Sequence, residues 1–238
     1  MKSFLVHLSG VFSEEKEAVA AACGAVLPGK PEWLDFRHLD GVCGYCEPEA
    51  EERLSEALRP TSVNPSLCWI DTGDYHYLSA LRLRHLPCTA FTLLLLDHHS
   101  DCQPPAFGGE LLSCGGWVRD AAHLPGLKNV VTLGPSGPGM LPEGTTPQAL
   151  DAALPEGLPL FLSLDLDILG PEWFQTDWDQ GHLALPALLD LLEPVLERPL
   201  LGIDLCGGIT RAKGATDAEL ARNHRVRCTL ASFILERV

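Results

Sequence analysis

A run of apolar residues that ends in acids and imidazoles constrains this sequence more than any other feature. Residues 91–96 show no polar alternation, which is typical of a strand buried on both faces of a parallel sheet. Asp97, His99 and Asp101 follow at alternate positions, so on an extended backbone their side chains leave the same face. Side chains at the carboxyl end of a central strand point into the crevice where open α/β sheets bind ligands. Taken alone, this pattern favours a metal site only slightly over a polar loop.

A second segment repeats the design and decides between those two interpretations. Residues 159–164 are an apolar strand, and Asp165 and Asp167 stand at its end two positions apart. Burying several carboxylates near one another is costly unless a cation or solvent compensates their charge. Two separate strand ends with acid clusters, one of them containing histidine, therefore predict a metal site.

Length, charge and cysteine content limit the class of protein. We expect one α/β domain over residues 1–238, because a chain of this length can bury a single large core. The formal charge of −15 argues against nucleic acid and anionic membranes as partners. No apolar run reaches membrane-spanning length and the start lacks a signal-peptide pattern, so a cytoplasmic location is expected. Nine cysteines with a single CxxC, at Cys43 and Cys46, are typical of reduced thiols.

Strand and helix patterns alternate along the chain. Strands are predicted at residues 4–8, 33–36, 67–70, 91–96, 129–133, 160–164 and 200–204. Helices are predicted at residues 13–27, 49–58, 77–85, 117–123, 183–196 and 217–236, with Ser13 as the cap of the first. This alternation predicts a mostly parallel sheet that is covered by helices on both faces.

The order of three motifs resembles a known family. The segment Gly-Asp-Tyr-His at residues 73–76 comes first, followed by Asp97-x-His99-x-Asp101 and then by Ser163-x-Asp165-x-Asp167. This order is similar to that of the arginase/agmatinase (ureohydrolase) superfamily, and the resemblance covers residues 67–204. It implies a three-layer α/β/α sandwich with a mostly parallel central sheet. It also implies a centre of two divalent metal ions, usually manganese, and a chain that can form homo-oligomers.

The resemblance also implies a role for each matching residue. Asp97 and Asp165 would bridge the two ions, and the remaining ligands of the two ions would be His76 with Asp101 and His99 with Asp167. Ions about 3.5–4 Å apart would share a water and lower its pKa, which provides a nucleophile at neutral pH. Asp101 would have a catalytic role as well, because it would accept a hydrogen bond from that water.

The sequence departs from the family pattern at positions that bind substrate. Cys114 stands where the family has a histidine that shuttles protons, and Gly207 stands where it has the glutamate that binds the guanidinium group. The substrate-holding GxRDxD segment of the family aligns with residues 134–137, which lack it. A lost charge-assisted pair is hard to replace. Classical arginase or agmatinase activity is therefore not expected unless another acid, such as Glu110 or Asp179, has taken the role.

Several residues near the motifs have two interpretations. Trp173, Phe174 and Trp178 follow the second acid motif, where they would either line a substrate pocket or pack in the core. His98 would face away from the ligands and either pack in the core or support a ligand by a hydrogen bond. Ser163 is a further candidate for such support, and a neutral buried thiol is the simpler expectation for Cys114.

Three functional hypotheses follow. The first is a binuclear metal-dependent hydrolase that acts on a C–N bond of a small guanidine, amidine or amide substrate. The second is a deacetylase-like amidohydrolase with one metal, which would use Asp97, His99 and a later acid such as Asp204. The third is a metal-binding protein without turnover. Asp101 and Asp167 favour two ions, whereas the departures at residues 114 and 207 keep the third hypothesis open.

Overall fold

The strands form one large sheet and one small one. The computed structural model describes residues 1–20, 27–62, 65–105, 111–134 and 140–238. In this part of the chain, eight parallel strands form a sheet in the order β2-β1-β4-β10-β9-β5-β7-β8, and β3 pairs with β6 in an antiparallel ribbon. The strands are β1 Lys2–His7, β2 Glu32–Asp35, β3 Tyr45–Cys46, β4 Ser66–Trp69, β5 Phe91–Leu96, β6 Leu112–Ser113, β7 Leu127–Gly134, β8 Met140–Pro142, β9 Leu160–Asp165 and β10 Leu200–Cys206.

Helices connect the strands. They are α1 Val11–Ala20, α2 Pro48–Leu58, α3 Leu78–Leu83, α4 Trp117–Ala121, α5 Pro147–Ala153, α6 Leu185–Leu196 and α7 Asp217–Leu235. Short 3₁₀ turns lie at Arg59–Ser62, Gly73–Tyr75, Leu166–Ile168 and Arg211–Lys213. None of the helices in the described ranges is both long and apolar enough to cross a membrane.

The central strands are buried on both faces, and each face has its own core. Leu94 and Leu96 of β5 pack in one core with residues of α1, α5, α6 and α7. Leu93 and Leu95 pack in the other with residues of α2, α3 and α4. Because side chains alternate between the two faces of a strand, the unbroken leucine run supplies both layers. The predicted three-layer α/β/α sandwich is therefore confirmed, and all the described pairs of the large sheet are parallel.

The predicted elements are found, with small shifts at their ends. Each predicted strand and helix has a counterpart, whereas β3, β6, β8 and α5 were not predicted. Helix α5 begins after Thr146, whose side chain accepts a hydrogen bond from the N–H of Ala149. The prediction for Ser13 was wrong: α1 begins at Val11, and the Ser13 hydroxyl lies 3.1 Å from Nε2 of His7. The predicted continuation of this helix through residues 21–26 lies outside the described residues, and Leu27, its predicted end, is not helical.

A buried ion pair joins the first and last helices near the carboxyl end of β10. Glu15 of α1 and Arg227 of α7 are both almost fully buried, with 2.9 Å between Oε2 and Nε. Arg227 also donates to the carbonyl oxygen of Gly207, the residue that follows β10. Its guanidinium carbon lies over the rings of Phe12, Trp69 and Phe174. This pair therefore fixes the backbone immediately after β10.

We expect Glu15→Ala to lower the free energy of unfolding by about 3–5 kcal/mol, because it leaves the Arg227 charge buried without its partner. Glu17→Ala is the matched control, since Glu17 lies on the same helix and pairs with Arg211 at the surface. Urea denaturation of the two variants is the measurement. Equal stability of both variants and the wild type would show that the buried pair does not hold these elements together.

Candidate metal centre

The candidate centre lies at the carboxyl ends of adjacent strands. Strands β5 and β9 are neighbours, and Leu96 pairs with Leu164, so Asp97 and Asp165 follow at the same edge. Strand β10 lies on the other side of β9 and β4 beyond it, and His76 follows the 3₁₀ turn after β4. The fold thus brings all six predicted ligands together: His76, Asp97, His99, Asp101, Asp165 and Asp167.

Three carboxylates surround one nitrogen of His76. Its Nδ1 lies 3.0 Å from Oδ2 of Asp101 and 3.3 Å from Oδ2 of both Asp97 and Asp165. All four side chains are buried. Nitrogen and oxygen ligands held at about 2.1 Å from one ion, at right angles, would lie about 3.0 Å apart. The spacing of these atoms therefore matches the edges of a coordination shell.

A second group shares Asp97 with the first. Nδ1 of His99 lies 2.8 Å from Oδ2 of Asp167 and 3.6 Å from Oδ1 of Asp97. Asp97 thus presents Oδ2 to the first group and Oδ1 to the second, as the predicted bridging role requires. Asp165 was also predicted to bridge the ions, but only its Oδ2 faces the first group, while its Oδ1 accepts the backbone N–H of Asp167.

Neighbouring groups orient the candidate ligands. The indole N–H of Trp117 donates to Oδ2 of Asp101 at 2.6 Å, and the backbone of Asp101 has a φ of +47°. Nε2 of His76 lies 2.8 Å from the Ser163 hydroxyl, which agrees with the support predicted for that serine. The backbone N–H of His98 donates to Oδ1 of Asp167 at 3.0 Å. Such contacts fix the direction of ligand atoms before a metal binds.

Burial and neighbouring charges shift the pKa values of the cluster. Burial, together with the nearby Asp167 charge, raises the pKa of Asp165 to about 8, and burial beside Asp97 raises the pKa of Asp167 to about 6. The hydrogen bond to Asp167 raises the pKa of His99 to about 11. Burial favours neutral His76, but the adjacent carboxylates of Asp101 and Asp97 raise its pKa well above the usual value.

Two buried atoms in the cluster make no hydrogen bond, Oδ2 of Asp97 and Nδ1 of His76. Buried polar atoms normally have partners, and both of these atoms face the centre of the first group. Together with the excess of carboxylates, they indicate that the donor set fits divalent cations.

A cavity of about 330 Å³ opens above the cluster. Trp178 forms part of its wall, with 42% of the residue exposed and its ring 6.0 Å from the His99 ring in an edge-to-face arrangement. Within the described ranges, Asp74 and Lys213 are the charged lining residues besides the candidate ligands. Of the three aromatic residues with two interpretations, Trp178 lines the cavity, whereas Phe174 and Trp173 pack in or against the core.

Cys114 and Gly207 do not supply the groups that the family pattern has at their positions. Cys114 lines the cavity, and burial near Asp101 raises the pKa of its thiol to about 12, so the thiol stays protonated at neutral pH. Gly207 has a φ of +108°, and a Cβ built there would lie 2.8 Å from Oδ1 of Asp165. An acidic side chain at residue 207 would therefore need a strained backbone and would displace Asp165.

Other sequence-based candidates lie elsewhere. Asp204 of β10 forms a buried ion pair with Arg82 of α3, so the suggestion that Asp204 completes a one-metal site was wrong. His98 does not pack in the core: its ring is paired with Glu143 at 3.0 Å, partly exposed. Asp179 is exposed and is not part of the cavity wall. Glu110 and residues 135–137 lie outside the described residues.

Two supporting residues were missed by sequence reasoning. Asp71 accepts hydrogen bonds from the backbone N–H groups of Leu8, Ser9 and Thr72 and so ties the ends of β1 and β4 together. Its position directly after a predicted strand is the signal that could have found it. Trp117 had no such signal, because no local pattern connects it with Asp101, which is 16 positions away.

The fold has well-defined relatives among solved structures. Proclavaminate amidino hydrolase from Streptomyces clavuligerus superposes with a TM-score of 0.71 at 13% identity, covering 100% of this chain and 92% of that one. Arginase from Medicago truncatula gives 0.69 at 16% identity, covering 98% and 86%. A Trypanosoma cruzi formiminoglutamase with Mn²⁺ gives 0.66 at 14% identity, covering 98% and 92%. The chain has the arginase-like fold.

This match confirms the fold that the three motifs implied. No family model matches the sequence. An uncharacterized protein of Thermotoga maritima is 25% identical over 207 residues, which cover 85% of this chain and 78% of that protein. The arginase-like fold is thus retained although the sequence has diverged widely from the solved structures.

We expect Trp117→Phe to weaken metal binding about 10–100-fold, since it removes the donor that orients Asp101 while keeping an aromatic ring in the core. Isothermal titration calorimetry of the metal-free protein with Mn²⁺ measures the change in affinity. Trp33→Phe is the control, because Trp33 is exposed and lies on β2 at the sheet edge. Equal affinities of the two variants would contradict a positioning role for Trp117.

Proposed function

We propose that this chain is a divergent, single-domain member of the ureohydrolase superfamily. In this proposal it is a binuclear metal-dependent hydrolase that acts on a C–N bond of a small guanidine, amidine or amide substrate. The observation that carries the proposal is the position of Asp97, whose two oxygens face two different groups of candidate ligands. A carboxylate shared in this way is the connecting element of a two-metal site.

The six candidate ligands would hold the ions. His76, Asp101 and Asp165 would bind one ion, His99 and Asp167 the other, and Asp97 would bind both. Oxygen-rich donor sets with two imidazoles suit Mn²⁺, and a relative with the same fold was solved with Mn²⁺. When bound, such ions lower the pKa of a shared water and polarise the bond that is attacked.

The chain's own residues would bind the substrate and handle the proton. Asp101 would accept a hydrogen bond from the attacking water, held in place by the indole N–H of Trp117. Trp178 would cover one side of the substrate and limit the access of bulk water. Asp74 and Lys213 offer one charge of each sign in the cavity wall, so they would suit a substrate with both a cationic and an anionic group.

The alternative function is metal binding without turnover, and two observations support it. A protonated thiol at Cys114 is a poor proton shuttle at neutral pH, and Gly207 supplies no carboxylate for a guanidinium group. An enzyme would have to move protons through other groups or through water. Measurement of turnover together with metal content separates the two functions.

We expect Asp167→Ala to lose or weaken one of two bound ions and to lower kcat/KM at least about 100-fold, a loss of roughly 3 kcal/mol of transition-state stabilisation. The substitution removes a ligand of the second group and leaves Asp97 in place. Elemental analysis, thermal unfolding and release of ammonia or urea would be measured on the same preparations. The substrates would be a panel of guanidines, amidines and N-acyl amines.

Asp179→Ala is the matched control, since it removes an exposed carboxylate that lies outside the cavity wall. A one-metal mechanism predicts one ion in the wild type and only a small loss of rate in Asp167→Ala. A binder without turnover predicts no rate for any substrate and only a change in the metal dependence of the unfolding temperature. Unchanged turnover with a single ion bound would rule out the two-metal proposal.

We expect little or no hydrolysis of arginine or agmatine by the manganese-containing protein. The physical reason is that residue 207 provides no carboxylate to pair with a guanidinium group, and a charge-assisted bidentate pair is hard to replace. Urea release from both compounds, compared with release from the wider panel, is the measurement. Rapid hydrolysis of either compound would mean that another acid binds the guanidinium group, with Asp74 as the first candidate to mutate.

A further inference from the structure

Cys206 is a fully buried thiol at the edge of the candidate metal centre. It is the last residue of β10, and it pairs directly with Asp165, the last residue of β9. Residues that are paired in parallel strands project to the same side of the sheet. The thiol of Cys206 and the carboxylate of Asp165 therefore lie on the same side, next to His76.

The sulfur atom of Cys206 lies near two of the candidate ligands. Sγ of Cys206, a carboxylate oxygen of Asp165 and a ring nitrogen of His76 all lie within 4.8 Å of one another. Nδ1 of His76 and Oδ2 of Asp165 are 3.3 Å apart, and a sulfur bound at about 2.3 Å to the same ion would lie at most about 4 Å from each of them. The widest spacing that the 4.8 Å limit allows would therefore have to shorten by roughly 1 Å when the ion binds.

Cys206 lies between one of the two hydrophobic cores and the ligands of the cluster. Its Sγ is 3.5 Å from the carbonyl oxygen of Thr72 and 3.9 Å from that of Asp71, which are ordinary distances for a thiol donor. A metal ion held by Asp165 and His76 would deprotonate a thiol that coordinates it.

A second observation points to a ligand at the same place. Nδ1 of His76 is buried and makes no hydrogen bond, although it is surrounded by carboxylate oxygens. The backbone beside Cys206 is also held in place, because Arg227 donates to the carbonyl oxygen of Gly207. The thiol is thus presented to the first group of ligands by a rigid segment.

We propose that Cys206 is a sulfur ligand of the ion bound by His76, Asp97, Asp101 and Asp165. Binding of the ion would release the thiol proton to solvent and form one metal–sulfur bond. The inference rests on the metal centre of the proposed function and deepens it, because it concerns which metal that centre selects. A thiolate ligand favours Zn²⁺ and other softer ions over Mn²⁺ at this position, while the second group keeps oxygen and nitrogen donors only.

The test uses cobalt as a spectroscopic probe on the full chain. The metal-free protein would be reconstituted with Co²⁺, and the near-ultraviolet spectrum and cobalt content would be recorded for wild type, Cys206→Ser, Cys206→Ala and Cys114→Ser. We expect a sulfur-to-cobalt charge-transfer band in the wild type and in Cys114→Ser, and loss of that band in both Cys206 variants while cobalt still binds. Competition between Zn²⁺ and Mn²⁺ should show a loss of zinc preference of at least about 10-fold in Cys206→Ser.

X-ray absorption at the cobalt edge is measured on the wild-type protein, so its result does not depend on whether a variant folds. A sulfur scatterer at about 2.3 Å would support the proposal, and a first shell of nitrogen and oxygen only would overturn it. Loss of the band in Cys114→Ser instead of the Cys206 variants would also overturn it. If cobalt binds without a sulfur ligand and the protein hydrolyses a substrate, the Cys206 proposal is wrong but the proposed function stands. If the protein binds no cobalt, both the Cys206 proposal and the proposed function are contradicted.

Discussion

Repulsion between buried carboxylates is the constraint on which the candidate site depends. Asp97, Asp101, Asp165 and Asp167 are each less than a tenth exposed, and they meet at the ends of neighbouring strands. Burial and the neighbouring carboxylates raise the pKa values of Asp165 and Asp167, so protons compete with a cation for these groups. The sheet supplies the rigidity that keeps such a cluster together. The hydrophobic cores on its two faces therefore provide the free energy that offsets the repulsion.

Much of this arrangement could be predicted from the sequence because its signals are local. An unbroken apolar run identifies a strand buried on both faces, and in a parallel sheet the carboxyl ends of such strands meet at one edge. Asp97 and Asp165 were predicted to converge on this basis, and both lie 3.3 Å from the same nitrogen of His76. The placement of His76 depended on the resemblance of the motifs, since a histidine in a turn after β4 carries no such periodic signal.

The remaining parts depend on contacts between residues that are far apart in the chain. Glu15 and Arg227 are separated by 212 positions, and Asp71 is 63 positions from Leu8. Trp117 donates to Asp101 across 16 positions of the sequence. Strands of two or three residues, such as β3, β6 and β8, are too short to show periodicity. Sequence patterns thus locate the ligand-bearing strand ends, whereas the supporting contacts need the folded chain.

The conformation at Gly207 limits which substitutions this part of the site tolerates. A glutamate there would place its first side-chain carbon 2.8 Å from Oδ1 of Asp165, on a backbone with a φ of +108°. The carbonyl oxygen of Gly207 accepts a hydrogen bond from Arg227, which is in turn buried against Glu15 and three aromatic rings. An acid at this position would therefore require matched changes in several elements at once. The shape of the cavity is easier to change at Trp178, which lines it and is 42% exposed.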